Sequence, residues 1–243
     1  MTTRAAGLTD LGCRRDSNQD RILVNAQHGV FVVADGMGGE HCGELAAEIA
    51  IRSVGDYLLV NGGNSASNSA QNRVLNAVQF ANQKVWEASQ AYSECAGMGT
   101  TISVAVLVSD SLIIANIGDS RVYLFRDGEL RRLTRDDALV STLVDQGKIS
   151  VERARAHPLR NVLTLALGRS KDINVHVNKT QLKAGDQLLV SSDGLHAVLT
   201  GTEITQIIAG PGDPDSKAQA LVDAAKREGG PDNISCIVVA YQN

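Results

Sequence analysis

The sequence of 243 residues predicts an α+β fold in which β-sheets pack together and helices cover them. One observation is a set of short runs rich in Val and Ile, which are typical of buried strands. A second is a set of blocks with helical periodicity that lie before, between and after those runs. A third is the shortness of several connections, because strands joined so closely pair antiparallel. No internal repeat is visible, so we expect one domain over residues 1–243.

Six runs have the length and composition of strands, and a shorter run follows Asp20. Asp110-Ser111 indicates a hairpin between the second and third runs, and Gly118-Asp119 indicates a tight turn after the third. The six runs cover residues 29–34, 101–108, 112–117, 121–125, 187–191 and 234–240, and the shorter run covers residues 22–24.

Helical periodicity is clearest in three blocks. Apolar residues recur at four-residue steps over residues 46–58 and at steps of three and four over residues 218–225, and a long block covers residues 74–92. Residues 61–72 are rich in Gly, Ser and Asn, so we expect an exposed loop there.

Composition and charge exclude several classes of protein. A net charge of −4 gives no general attraction to nucleic acid or to anionic membranes. No apolar run approaches the roughly 20 residues of a membrane span, and the start lacks a signal-peptide core. We therefore expect a cytoplasmic protein.

The four cysteines are far apart in the sequence and include no Cys-x-x-Cys pair. This pattern argues against a zinc site and predicts no disulfide framework. Cys236 lies inside an apolar run, and we expect it to be a buried small hydrophobe.

Aspartates at the ends of the predicted strands are the most informative feature. For any one of them, an ordinary turn is the simpler interpretation. If the strands pack side by side, however, their ends bring several carboxylates into one cleft. Glycines at positions 36 and 194 follow two of them and allow close backbone approach. The aspartates are Asp20, Asp35, Asp119, Asp193 and Asp232.

Carboxylates gathered in one cleft repel one another unless cations neutralise them. Oxygen ligands without supporting His or Cys favour Mg²⁺ or Mn²⁺ over zinc. Two such ions can activate a water and neutralise charge on a phosphoryl group. The aspartates thus indicate a two-cation centre suited to phosphoryl chemistry.

Six motifs spread along nearly the whole chain resemble those of one known family. They cover residues 12–20 (GCRRDSNQD), 33–39 (VADGMGG), 98–101 (MGTT), 116–121 (NIGDSR), 192–194 (SDG) and 229–233 (GGPDN). In this order they resemble the PPM family, the type 2C metal-dependent protein phosphatases, particularly its compact bacterial members. The resemblance implies a four-layer αββα sandwich, with metals at one end of the paired sheets and a flap subregion at about residues 134–170.

The resemblance also implies a ligand set for two core ions, Mg²⁺ or Mn²⁺, and a third weaker one. Asp35 would bridge both core ions, and the Gly36 carbonyl would bind the second. Asp193 and Asp232 would hold the first ion. Asp119 resembles the ligand of the third.

Three further residues receive roles from the resemblance. Asp20 would act through metal-bound water, Arg15 would bind the phosphate with its planar fork of donors, and Asn233 would support the site. The mechanism implied is direct attack by a metal-bridging hydroxide with no phosphoenzyme. The sequence contains no Cys-x5-Arg loop for the covalent alternative.

The chain departs from the family pattern at a few positions. Met37 stands where eukaryotic members carry a histidine, and Asp136-Asp137 departs from the commoner Asp-His of relatives. We expect His41 to be a surface residue and His157 to be structural rather than catalytic. The departure in the flap bears on substrate choice rather than on the chemistry. With Met37 in place of the histidine, protonation of the leaving group must come from water or from another group.

The function that the resemblance implies is hydrolysis of phosphoserine and phosphothreonine in proteins by a monomer. Its partners would be a Ser/Thr kinase and the substrates of that kinase, with no nucleic acid and no membrane. Two alternatives stay open. One is a catalytically silent binding module on the same fold, and the other is a phosphohydrolase of small molecules.

Overall fold

The computed structural model describes residues 2–39, 41–60 and 69–242, apart from the side chains of Thr2 and Arg155. Within those ranges the strands are β1 (Thr2–Asp10), β2 (Asp20–Asn25), β3 (Val30–Met37), β4 (Gly99–Thr100), β5 (Ile102–Val108), β6 (Ser111–Ile117), β7 (Arg121–Arg126), β8 (Glu129–Arg132), β9 (His176–Gln181), β10 (Gln187–Ser191) and β11 (Ile234–Gln242). The helices are α1 (Cys42–Gly55), α2 (Ala70–Ala91), α3 (Leu139–Asp145), α4 (Val151–Arg155), α5 (Asp193–His196), α6 (Gly201–Ala209) and α7 (Pro214–Arg227).

The strands form two sheets with antiparallel pairing throughout the described residues. One sheet has the order β1-β11-β10-β7-β8, and the other has the order β2-β3-β5-β6-β9, with β4 paired to the end of β3. The predicted α+β class and the antiparallel hairpins are confirmed.

Successive side chains of a strand point to opposite faces of its sheet, so the apolar side chains of one strand contribute to two separate layers of the core. In β3, Phe31 and Val33 face the other sheet and pack in a cluster with Val190 and Val239 from β10 and β11. Val32, next to them in sequence, faces the opposite way, into the cluster formed with α1 and α2. The central layers are therefore two sheets in direct contact.

Helices cover the outer face of each sheet. Ala50 of α1 and Val78 of α2 are fully buried against the sheet that contains β3. Leu221 of α7 and Ile204 of α6 are buried against the sheet that contains β11. The fold is a four-layer αββα sandwich, as the resemblance implied. No helix in the described part of the chain is long and apolar enough to cross a bilayer.

Two predictions about chain segments need correction. We expected a loop over residues 61–72, of which residues 61–68 lie outside the described residues. Residues 70–72 belong to α2 instead of a loop. Ser69 caps this helix by accepting a hydrogen bond from the Asn72 amide. The strand β1 was also not predicted, because its sequence TTRAAGLTD contains no apolar run; it pairs with β11 along its whole length.

The expectation of no disulfide is wrong for one pair, because Cys42 and Cys95 are bonded. Cys42 opens α1, and Cys95 ends a 3₁₀ turn just before β4. The pairing of β3 with β4 brings these two segments together, which spacing in the sequence does not reveal. Cys236 is buried as expected, and burial raises the pKa of its thiol to about 12.

Candidate functional site

The aspartates at the strand ends converge on one cleft of about 620 Å³. Asp35 lies near the end of β3, Asp119 between β6 and β7, Asp193 at the start of α5 directly after β10, and Asp232 just before β11. All four line the cleft. Asp20, the first residue of β2, pairs opposite Asp35 and is only 1% exposed, so it lies beneath the cleft. The structure thus brings together the carboxylates that the sequence singled out.

Asp35 is held by the backbone on both sides. β3 does not stop before Asp35 as the sequence predicted, because pairing with β4 extends it to Met37. The Asp35 amide donates to Thr101 Oγ1 at 3.0 Å, and its carbonyl accepts from the Thr101 amide at 2.8 Å. Asp35 and Gly36 therefore lie within a strand, where neither can shift without breaking sheet hydrogen bonds.

Glycines allow the close approach that the cleft requires. A Cβ on Gly36 would lie 1.9 Å from the carbonyl oxygen of Gly43 in α1. A Cβ on Gly194 would lie 1.9 Å from the carbonyl oxygen of Asn233. Because real Cβ atoms do not approach an oxygen so closely, both positions need glycine.

The carboxylates make a strongly unfavourable group of like charges. Burial and the charges of Asp119 and Asp232 raise the pKa of Asp193 to about 8. Burial and the charges of Asp20 and Asp193 raise the pKa of Asp35 well above its usual range. Burial is also the main cause that raises the pKa of Asp20 to about 6 and the pKa of Asp119 to about 6. The cleft therefore favours any ligand that brings positive charge.

Two buried oxygen atoms support a cation as that ligand. Asp20 Oδ1 and Asp193 Oδ1 are buried and have no hydrogen-bond partner among the described residues. The described His, Cys, Asp and Glu residues form no preformed cluster of three or more ligands. Cation binding is therefore indicated by the buried like charges and the unpaired oxygens, and not by a coordination geometry. Hard oxygen donors of this kind fit Mg²⁺ or Mn²⁺.

Arg15 lies at the mouth of the cleft. Its Nη2 donates to Asp232 Oδ2 at 2.6 Å, and its side chain is 53% exposed. That hydrogen bond and the charges of Asp232, Asp193 and Asp35 raise the pKa of Arg15 above its usual range. A permanent cation faces the carboxylates where an incoming anion would meet them.

Asn233 joins segments that are far apart in sequence. Its Oδ1 accepts from the Gln19 amide at 2.9 Å, and its Nδ2 donates to the carbonyls of Leu11 and Ser17, each at 3.0 Å. Gln19 in turn donates through Nε2 to the Gly39 carbonyl at 2.8 Å. These bonds fix the loop that carries Arg15 to the base of β11 and to the loop after β3.

Ser192 has a role that sequence reasoning missed. Its hydroxyl donates to Asp20 Oδ2 at 2.7 Å and accepts from the Ser235 amide at 3.0 Å. The Ser-Asp-Gly motif drew attention to the position, but its partner Asp20 is 172 residues away. The structure is needed to show that Ser192 orients Asp20.

Asp136 and Asp137 anchor the base of the flap, and Asp137 is the one that departs from the family pattern. Asp136 accepts from Arg121 Nη2 at 2.7 Å and from Arg132 Nη1 at 3.1 Å. Asp137 Oδ2 accepts from the Gly118 amide at 3.1 Å, next to the cleft. The departure therefore has a structural role at the base of the flap.

Three residues with weaker sequence signals take no direct part in the carboxylate group. Met37 is half-buried and lines the cleft, and His41 is exposed as expected. His157 Nδ1 accepts from the Leu159 amide at 3.1 Å, which supports its structural interpretation.

Comparisons with known proteins relate the whole chain to phosphatases. The model of the Protein phosphatase 2C family matches residues 14–214. Protein phosphatase PhpP of Streptococcus pneumoniae is 36% identical over 238 residues, which cover 96% of this chain and 95% of that protein. The crystal structure of the Mycobacterium tuberculosis serine/threonine phosphatase PstP/Ppp matches with a TM-score of 0.92 at 31% identity and covers 100% of both chains. A structure of the PstP catalytic domain with two manganese ions matches with a TM-score of 0.89 at 31% identity and covers 99% of both.

The family match spans most of the chain, and the relatives align with nearly all of it. The chain therefore belongs to the protein phosphatase 2C family, the metal-dependent serine/threonine protein phosphatases.

Proposed function

We propose that this protein hydrolyses phosphoserine and phosphothreonine in proteins, using divalent cations held by the aspartates of the cleft. In this proposal Asp35, Asp193, Asp232 and the Gly36 carbonyl hold two core ions, and Asp119 holds a third. The observation that carries the proposal is the group of buried carboxylates, with unpaired oxygens on Asp20 and Asp193, that opens onto a cleft facing Arg15.

The bound cations would supply an activated water as nucleophile and would neutralise charge on the phosphoryl group. The side chains of the protein would orient the phosphate and the water and would add positive charge next to the phosphate. Arg15 binds phosphate oxygens, because a guanidinium carries five N–H donors and the bond to Asp232 occupies one of them. Asp20 is held by Ser192 through Oδ2, so its Oδ1 remains to accept a hydrogen bond from water.

Asn233 and Gln19 are positioning residues in this scheme. They hold the backbone around Arg15 and the loop after Asp35 in one geometry. A fixed geometry contributes to the rate because the reacting groups meet already aligned.

We extend the proposal to the domain and its partners. Residues 1–243 act as one catalytic domain with a flap at about residues 134–170. In this proposal the substrates are products of a Ser/Thr kinase. Because such kinases use ATP, we propose that the reaction takes place in the cytoplasm. Mg²⁺ and Mn²⁺ both fit the oxygen donors.

The test is hydrolysis of p-nitrophenyl phosphate and of a phosphothreonine peptide by purified protein. Each substrate is assayed with Mn²⁺, with Mg²⁺ and with excess chelator. Asp35→Asn and Asp232→Asn test the site, and Asp172→Asn is the matched control because Asp172 is exposed. We expect metal-dependent turnover of both substrates that is lost in the two site variants and unchanged in the control.

Each other outcome contradicts part of the proposal. No turnover by folded protein with either metal would leave the silent binding module. Turnover of p-nitrophenyl phosphate alone would favour a phosphohydrolase of small molecules. Full activity in chelator, or in Asp35→Asn, would refute the cation assignment.

A further inference from the structure

A second cavity of about 400 Å³ lies next to the catalytic cleft. Asp119, Asn161 and Asp193 line both the cleft and this cavity, so the two spaces share a wall. A volume of this size is in the range of ligand-binding pockets. Apart from Asp119 and Asp193, the described residues that line the cavity have no role in the chemistry proposed above.

The cavity has apolar walls on two sides. Val140 and Val144 of α3 and Val151 of α4 line it from the flap, and Leu199 and Ile204 line it from the α5–α6 side. Val151 is 58% exposed at the edge of the cavity, so a ligand can reach its side chain. Apolar side chains from both sides therefore border one space, and a predominantly apolar lining with a few polar groups is typical of ligand-binding pockets.

Three of the four arginines in the described lining of the cavity are paired with aspartates. Arg121 and Arg132 both bind Asp136, and Arg135 binds Asp145. The wall therefore offers little net charge to an incoming charged side chain. An apolar side chain fits such a wall better than an acidic or basic one.

Polar donors lie at the junction between the two spaces. Arg160 and Asn161 are both exposed, and Arg160 makes no ion pair within the described residues. Donors of this kind suit the main-chain carbonyls of a polypeptide that passes from the cleft into the cavity.

The cavity is built into the fold rather than left between loose segments. The Leu139 amide donates to the Val162 carbonyl at 2.8 Å, and the Thr164 amide donates to the Asp137 carbonyl at 2.8 Å. Ala138 also pairs with Leu163 in an isolated β-bridge. These contacts hold both ends of the flap beside the cleft.

We propose that this cavity is a specificity subsite that takes an apolar side chain of the phosphoprotein substrate close in sequence to the phosphorylated residue. The inference rests on the proposed function, because the occupant is the segment whose phosphate enters the cleft. Because the cleft and the cavity share a wall and an extended residue spans about 3.5 Å, the apolar residue would lie only a few positions from the phosphoresidue.

The first test needs no variant. Phosphothreonine peptides with alanine at all flanking positions are compared with peptides that carry a single Leu, Asp or Lys at each position in turn. At one or two positions we expect Leu to exceed Ala in kcat/KM by about tenfold, since an apolar pocket discriminates by about that factor or more. The gain is expected mainly in KM, because the contact exists before and during the reaction.

The second test places the preference in the cavity. Val151→Asp puts a charge on the wall at the first position of α4, after the cap Ser150, where an acidic residue suits the helix. Its Leu-to-Ala ratio of kcat/KM should fall toward one. Val108→Asp makes the same substitution at a partly exposed position at the end of β5 and should leave the ratio and the basal activity unchanged. Val144→Ala should move the preference from Leu toward larger side chains, and thermal melting checks that each variant is folded.

The outcomes separate the inference from the proposed function. Turnover of p-nitrophenyl phosphate and of the alanine peptide, with no position preferring Leu more than about twofold, would refute the subsite and leave the function standing. A Leu preference that survives both Val151→Asp and Val144→Ala would place the contact elsewhere, and a stronger preference for Asp or Lys would overturn its apolar character. No turnover of any substrate would refute the proposed function itself.

Discussion

Replacing Asp193 with asparagine should stabilise the protein when chelator is present, although it removes a residue of the proposed active site. The pKa of Asp193 is raised from an ordinary value of 3.8 to about 8. The folded state therefore binds a proton more tightly than the unfolded chain does. At pH values below the pKa that the group has in the unfolded chain, such a group does not lower the free energy of unfolding. As the pH rises from that value toward the pKa in the folded state, the free energy of unfolding falls. We expect the chelated protein to lose stability between about pH 4 and pH 8.

The magnitude has a ceiling of roughly 6 kcal/mol, which is the free energy that corresponds to the change from 3.8 to about 8. Asp193 is only half-buried and faces the cleft, where water screens part of the repulsion. The neighbouring aspartates also share the cost, since their titrations are linked. We therefore expect Asp193→Asn to gain about 2 kcal/mol at pH 8, or roughly 4–8 °C in Tm.

The assay is calorimetric melting in chelator at pH 5 and pH 8, with Asp172→Asn as the control. The gain should be large at pH 8 and small at pH 5, and the exposed control should show neither. With saturating Mn²⁺ the order should reverse, because the parent protein gains more from binding. If Asp193→Asn melts at or below the parent temperature in chelator at pH 8, the argument from like charges is wrong.

Three further substitutions test the scaffold of the site. Asn233→Ala removes hydrogen bonds to three backbone groups and should lower the free energy of unfolding in urea by about 2–3 kcal/mol; a loss under about 0.5 kcal/mol would contradict its bridging role. Cys42→Ser removes the disulfide, which closes a loop of 53 residues, and should lower the free energy of unfolding by up to about 4 kcal/mol. Cys13→Ser changes a free and exposed thiol and should leave the free energy of unfolding unchanged. Equal effects of the two substitutions would refute the disulfide. Gly36→Ala should abolish Mn²⁺ binding in titration calorimetry or prevent folding, because the new Cβ would lie 1.9 Å from a carbonyl oxygen. The control Gly201→Ala adds a Cβ that meets nothing within 4 Å, so it should be neutral. A Gly36→Ala protein that binds Mn²⁺ normally would contradict the close approach.

Most of the candidate site could be predicted because its aspartates border the strands that build the fold. The buried strands are continuous runs of Val and Ile, so the aspartates that interrupt or border them stand out. The resemblance of six motifs then assigned roles that spacing alone could not. The convergence of Asp35, Asp119, Asp193 and Asp232 on one cleft agrees with that assignment.

The remaining features depend on contacts between segments that are far apart in sequence. β1 has no apolar run of its own and is a strand because β11 pairs with it from Thr2 to Asp10. Ser192 and Thr101 sit in recognised motifs, yet their effects on Asp20 and Asp35 appear only when sheet pairing brings them together. The bond between Cys42 and Cys95 depends on the pairing of β3 with β4 in the same way.

The proposed mechanism requires that the carboxylates of the cleft hold divalent cations. Anomalous diffraction from crystals grown with Mn²⁺, with data collected on both sides of the manganese absorption edge, would locate these cations. We predict at least two strong anomalous peaks in the cleft, in contact with Asp35, Asp193 and Asp232, and loss of those peaks in Asp35→Asn. A cleft without anomalous density at saturating Mn²⁺, or peaks bound only elsewhere on the protein, would contradict the account.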